Sequence, residues 1–229
     1  MISLELITYY KSIKTIFMKT IEQLKQESGR KLFASVLGKS TINPESEEYK
    51  TIEKVTEILF KNGYGVIHGG YAGGAMQAVS DTAQKIITTE KLSPACNIAV
   101  PQLQHDGLWD RVSEAVFTTA SPDIFDRLKI VTTGEIAVIC PLGGDGTELE
   151  ETIVFHENIV KMGMNKYGGY SFPMTPLIFI QTKNGTDWKK LIEQKMNILD
   201  VSVRDPKEYD WLYFIESLDE FESVIQKYI

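Results

Sequence analysis

Ile136-Ala137-Val138-Ile139-Cys140-Pro141-Leu142-Gly143-Gly144-Asp145-Gly146-Thr147-Glu148-Leu149-Glu150-Glu151 decides how this chain is read. A short apolar, β-branched run breaks at a proline into glycines, and an acidic, helix-favouring stretch follows, so a buried strand turns sharply into a helix. The same alternation extends in both directions. Apolar runs at Leu32–Leu37, 66–68, 97–100, 177–181 and 212–216 are separated by amphipathic stretches at 45–62, 74–87, 122–133, 147–163, 186–199 and 218–228. Nearly continuous apolar strands that alternate with helices predict an α/β fold with a doubly wound parallel sheet covered on both faces.

Residues 1–30 stand apart as a further N-terminal amphipathic helix. Leu6, Tyr10, Ile13, Phe17, Ile21 and Leu24 recur three and four apart, and Gly29 follows as a stop. Such a stripe packs on its own domain or on a second subunit, in preference to a membrane surface or another partner. Residues 31–229 form the main domain.

Composition narrows the classes. The 229 residues include 24 Lys+Arg and 31 Asp+Glu, a formal charge of −7, with 43% hydrophobic and 24% charged residues. That is an ordinary globular balance, and it lacks the basic surface that nucleic-acid binding needs. No apolar run reaches a membrane span, no secretory signal pattern opens the chain, and the two cysteines, Cys96 and Cys140, sit inside strand-like runs. Reduced thiols and a cytoplasmic location are expected. The three histidines, His68, His105 and His156, are scattered, and no metal-ligand spacing is present.

In a doubly wound sheet, ligands bind beyond the carboxyl ends of the strands. Gly38-Lys39-Ser40 follows the first strand, and Gly69-Gly70-Tyr71-Ala72-Gly73-Gly74-Ala75-Met76 follows the second. With Gly143-Gly144-Asp145-Gly146-Thr147 these make two glycine-rich strand-to-helix turns. Glycine lets backbone approach a ligand, and a helix N-terminus favours an anion such as phosphate. Either turn could instead serve only helix packing. Neither reads as a dinucleotide fingerprint or a P-loop. His68, at a strand end, either lines a ligand site or is hydrogen-bonded within the fold. Thr147-Glu148-Leu149-Glu150 fits a capping box, which would make Glu150 a structural cap. Arg127, in Asp123-Ile124-Phe125-Asp126-Arg127-Leu128-Lys129, reads equally as part of a solvated helix face.

Gly143-Gly144-Asp145-Gly146-Thr147-Glu148-Leu149-Glu150 resembles the Pro-Gly-Gly-x-Gly-Thr-x-x-Glu hallmark of the Lonely Guy (LOG) phosphoribohydrolases, a family also called lysine-decarboxylase-like. The 123–127 stretch resembles its Asp-Met-His-Glu-Arg, and the 68–76 stretch its Tyr-Gly-Gly-Gly-x-x-Gly-Leu-Met turn. The likeness spans about residues 31–228. Leu142 is inserted after the proline, Tyr71 replaces a glycine, and Lys129 is displaced by one from the family's Arg-Lys pair.

The resemblance implies a Rossmann-like fold, a homodimer or higher homo-oligomer, and hydrolysis of the N-glycosidic bond of a nucleoside 5′-monophosphate, AMP or an N6-substituted adenine ribotide, to free base and ribose 5-phosphate. Glu150 and Arg127 would be catalytic. The carboxylate would stabilise an oxocarbenium-like sugar or activate water, and the guanidinium would clamp phosphate or assist the departing base. Gly143, Gly144, Asp145, Gly146 and Thr147 would cradle the phosphate, with Gly69, Gly70, Gly73, Gly74, Met76 and Ser40 bordering the nucleotide. No metal or cofactor is called for. A pyridoxal enzyme would need a Schiff-base lysine, and nothing singles one out. The alternative is a nucleotide- or cofactor-binding carrier or sensor of the same fold. The polar connection 102–117, with His105, Trp109 and Arg111, reads as a lid over the base or as a surface loop.

Overall fold

The computed structural model describes residues 19–102, 108, 110–118, 120–198 and 209–229. The expected helix ahead of residue 19, and His105 and Trp109 of the polar connection, lie outside the described residues.

The chain is a three-layer α/β structure. Its strands are β1 (Leu32–Leu37), β2 (Tyr64–His68), β3 (Asn97–Ala99), β4 (Val116–Phe117), β5 (Ile136–Ile139), β6 (Leu177–Ile180) and β7 (Leu212–Ile215). The helices are α1 (Ile21–Ser28), α2 (Glu47–Lys61), α3 (Gly74–Glu90), α4 (Ile124–Val131), α5 (Asp145–Gly168), α6 (Trp188–Ile198) and α7 (Leu218–Ile225). The strands lie in the order β4-β3-β2-β1-β5-β6-β7, all in parallel pairs. This is the Rossmann-like sheet expected from the sequence.

Strand side chains alternate between two cores, as the period of two requires. Ala34, Val36, Val66, Ile136, Val138, Ile178 and Ile215 pack with residues of α2, α3 and α7 on one face. Phe33, Leu37, Ile67, Ala137, Ile139, Leu177 and Phe179 pack with residues of α1, α4, α5 and α6 on the other. Burial on both faces explains why the strands read as continuous apolar runs.

The stripe residues Ile21 and Leu24 of α1 are buried in this second core, so the described part of the N-terminal helix packs on its own domain. It starts with a Thr20–Gln23 capping box and ends at Gly29, whose φ is 70°. β4 is a short strand that the sequence reading left inside the polar connection. No helix among the described residues is long and apolar enough to cross a membrane.

Strand β1 pairs with β2 on one side and β5 on the other, and the winding reverses there. A crevice opens at such a switch point, beyond the carboxyl ends of the strands. The turns after β1, β2 and β5 converge on it.

Candidate active site

A cleft of about 680 Å³ lies at this switch point. It is lined by Lys39, Ser40 and Thr41 after β1, Gly69, Tyr71, Ala72 and Met76 after β2, Ile124 and Arg127 of α4, and Gly144, Asp145, Gly146, Thr147 and Glu150 at the start of α5. Leu108 and Asp110 contribute from the polar connection. Of the residues singled out in the sequence, Glu150, Arg127, Gly144, Asp145, Gly146, Thr147, Gly69, Ser40 and Met76 therefore meet in one place.

Gly70, Gly73, Gly74 and Gly143 do not line the cleft, and their role is in packing. A Cβ on Gly143 would run into the Trp188 ring, and one on Gly74 into the Lys39 carbonyl. Gly74 also has φ 52°, and Gly70 and Gly73 have φ 80° and 97°, a region that L side chains rarely occupy.

Glu150 is not a helix cap. α5 is capped at Gly144 and already helical at Asp145, which places Thr147 and Glu150 inside the helix, and the cap makes no side-chain hydrogen bond. The paired glycines turn the chain early enough to begin the helix before Thr147. Arg127 is not on a solvated face. It is 9% exposed, and α4 presents it to the cleft. Asp123 supplies the cap of α4, its Oδ1 accepting from the Asp126 amide at 2.9 Å.

The Arg127 guanidinium is held by several contacts. Its Nε donates to the Val100 carbonyl at 3.1 Å, and its Nη1 lies 3.4 Å from Glu150 Oε1. It stands 5.9 Å from the centroid of the Tyr71 ring, a cation–π distance. Gly69 is required beneath it, because a Cβ there would meet Arg127 Nη2 and Met76 Sδ.

Glu150 is 7% exposed, and burial pushes its carboxyl up to about 7 against the opposing pull of Arg127. A carboxyl poised near neutrality in a cleft suits proton transfer. Cys140, beneath it, is fully buried, and burial and the Glu150 charge push its thiol up, so it is inert as a nucleophile.

His68 lies outside the cleft lining. The Gly70 amide donates to Nδ1 at 3.1 Å, so Nε2 carries the proton and faces Asn97 Oδ1 at 3.0 Å. Burial lowers its pKa to about 4, and it is neutral at pH 7. Of its two possible roles, the internal one holds.

The turn after β5 keeps its amides open. Gly143 donates to Thr186 Oγ1 at 3.2 Å, whereas the Asp145, Gly146 and Thr147 amides meet no acceptor among the described residues. Tyr71 and Ala72 line the cleft as part of the 69–76 turn, and Lys39, Thr41, Asp110 and Ile124 join them without having been singled out by the sequence. Lys39 had a usable signal, since it follows Gly38 at a strand end. Among the described residues no group of three or more His, Cys, Asp or Glu is placed to share a metal ion.

No family model and no curated protein matches this sequence. Among solved structures, the chain is similar to the molybdenum cofactor binding protein from the phototrophic bacterium Rippkaea orientalis. The two are 14% identical over 86% of this chain and 97% of that one, with a TM-score of 0.57. It is also similar to the molybdenum cofactor carrier protein from Chlamydomonas reinhardtii, at 13% identity over 86% and 98% of the two chains, with a TM-score of 0.54. At such identities the likeness lies in the backbone. The chain has the Rossmann-like α/β fold that these cofactor-binding proteins share.

Proposed function

We propose that this protein is a LOG-type phosphoribohydrolase acting on a nucleoside 5′-monophosphate. The observation that carries the reading is the Arg127–Glu150 pair, buried on the wall of a cleft whose adjoining helix N-terminus offers open amides. The 5′-phosphate lies on the amides of residues 145–147 with the Lys39 ammonium nearby. Glu150, ionised, takes a proton from water as the oxygen attacks C1′ and lends negative charge to the oxocarbenium-like sugar. The C1′–N bond breaks with its electron pair going to the base. The base takes up a proton, so the two hydrogens of water end on the base and on the new C1′ hydroxyl. Arg127 steadies the ionised carboxylate and the charge that develops on departure. None of these steps routes through a metal or cofactor.

The test is incubation of wild type and Glu150→Gln with AMP and isopentenyl-AMP, scoring free base and ribose 5-phosphate. Release by wild type alone supports the reading. A second reading, a non-catalytic nucleotide- or cofactor-binding carrier, is favoured by what the two structural neighbours are named for. Tight binding without base release, seen as a ligand-dependent rise in melting temperature, selects it.

A homodimer is part of the same proposal. Leu149, Val160, Met164 and Tyr167 are 43%, 46%, 38% and 82% exposed, and their spacing puts them on one side of α5. An apolar stripe of this kind suits a second copy of the chain. Sedimentation of wild type against Val160→Glu checks it: a dimer that the charge dissociates is expected, and a monomeric wild type removes this part.

A further inference from the structure

Among the described residues Tyr71 is the one aromatic in the cleft lining, and both ends of its side chain are engaged. It is 4% exposed. Its hydroxyl accepts from the Gln102 amide at 2.8 Å and donates to the Gln102 carbonyl at 3.3 Å. Its ring faces the Arg127 guanidinium at 5.9 Å. The backbone on either side is pinned as well, because the Gly70 carbonyl accepts from the Val112 amide at 3.1 Å and the Ala72 amide donates to the Asp110 carbonyl at 2.8 Å.

The acceptor for Arg127 Nε is the Val100 carbonyl, two residues before Gln102. One short stretch after β3 therefore anchors both the guanidinium and the ring against it. Gly69, from the same turn as Tyr71, leaves room for Arg127 Nη2. The arginine has its Nε bonded, one side against the ring and Nη2 in the space that Gly69 leaves, with Nη1 directed at Glu150.

We propose that Tyr71 is a positioning residue: its anchored ring holds the Arg127 guanidinium in register with the Glu150 carboxylate. The consequence for turnover rests on the hydrolase reading. The electrostatic consequence does not, since the pair exists in the free protein. Glu150 is faced by Arg127 from α4, by the Cys140 thiol after β5 and by Lys39 across the cleft. Asp145, Glu148 and Glu151 stand on its own helix, with Lys195 of α6 paired to Glu151, and Asp110 lines the cleft from the polar connection. Substituting Tyr71 changes none of these charges, and any water admitted in place of the ring would favour the carboxylate and lower the midpoint, so a rise in the Glu150 titration reports a displaced Arg127.

The experiment is carboxyl-carbon NMR of glutamate-labelled protein across pH, with the Glu150 signal assigned by its loss in Glu150→Gln. Tyr71→Leu removes the ring, Tyr71→Met removes it while keeping flexible apolar bulk should the leucine variant not fold, and Tyr71→Phe restores the ring alone. Looser placement of Arg127 withdraws the charge that favours the carboxylate. The Leu and Met midpoints are therefore expected to rise by about one pH unit, a tenfold tighter hold on the proton. Phe is expected to bring the midpoint back toward wild type. In the base-release assay the same two variants lose kcat with little change in KM. Leu and Met midpoints equal to wild type, or a Phe midpoint displaced as far as Leu, overturn the proposal. Should no protein release base, the titration still decides the role of Tyr71, and the hydrolase reading alone falls.

Discussion

The two glycine-rich turns are alike in composition and opposite in state. After β2, the turn is closed upon itself and its neighbours. The Gly70 amide donates to His68, Ala72 to the Asp110 carbonyl, Gly73 to Gln77 at 3.4 Å and Ala75 to the Lys39 carbonyl at 2.9 Å. Gly70, Gly73 and Gly74 all have positive φ. After β5, Gly143, Gly144 and Gly146 have no positive φ, the helix has no side-chain cap, and the first amides face the cleft. One turn is a shaped wall that seats Arg127, and the other keeps the open amides on which the proposed phosphate site rests. A glycine run thus marks close approach, and the partner of each amide decides whether it approaches protein or ligand.

The largest expected effect comes from the carboxylate at the open turn. Glu150→Gln is expected to lower base release by about a thousandfold, the scale of a lost general base, while the fold persists. The acid limb of wild-type turnover is expected near pH 7, because the pKa of Glu150 is raised to about 7 and only its ionised form takes a proton. Stability carries the opposite sign. Between the ordinary carboxylate range and about 7 the native state holds a proton that the unfolded chain has released, so wild type loses stability relative to Glu150→Gln as pH rises through that window. Melting curves of both proteins across pH measure this, and parallel curves would place the raised pKa elsewhere.

Next comes the closed turn where it touches Arg127. Gly69→Ala places a methyl against Arg127 Nη2 and Met76 Sδ, and the guanidinium must move. A misplacement on the order of 1 Å costs about a hundredfold in rate, so kcat is expected to fall by that factor. An unchanged kcat would mean that the closed turn does not seat the arginine. Gly74→Ala tests the same turn where it meets protein alone. It combines φ 52° with a methyl driven onto the Lys39 carbonyl, and a loss of about 2 kcal/mol or more is expected in denaturant unfolding. The folded fraction keeps its ligand affinity, in contrast to the open turn.

Much of the fold was legible because both-face burial writes long apolar runs into strands. β1 matched to the residue, and from there on the other expected strands and helices fell near their observed bounds. What was not legible depended on distant partners or misleading punctuation. The expected stretch at 147–163 ends at a glycine, yet α5 runs on to Gly168 and stops at Gly169, with φ 69°. A single helical glycine costs only about 1 kcal/mol, too little to break a helix held by packing on β5 and β6. β4 has only two residues, Val116 and Phe117, and so shows no period. Arg127 looked solvated because its local neighbours are charged. Its burial comes from the Val100 carbonyl, the Tyr71 ring and Glu150, none of them near it in sequence. The glycines after β2 and β5 could not be told apart by sequence, since the acceptors that close the first turn, the Asp110 and Lys39 carbonyls and Gln77 Oε1, come from outside the run or lie beyond it.

The smallest effect is the one that separates wall from cradle most cleanly. A Cβ on Gly146 would meet nothing within 4 Å, and its backbone is helical. Relief of the glycine's conformational entropy therefore favours Gly146→Ala, and a gain of about 0.5 kcal/mol is expected in unfolding experiments. The same methyl projects beside the open amides, where a phosphate would have to approach closely, so nucleotide affinity is expected to fall severalfold. Stability and binding would then move in opposite directions at one position. At Gly74 the protein already occupies the space, and only stability can respond. If Gly146→Ala gains stability and binds nucleotide as wild type does, the anion sits elsewhere in the cleft, and Lys39 with Arg127 become the groups to test for it.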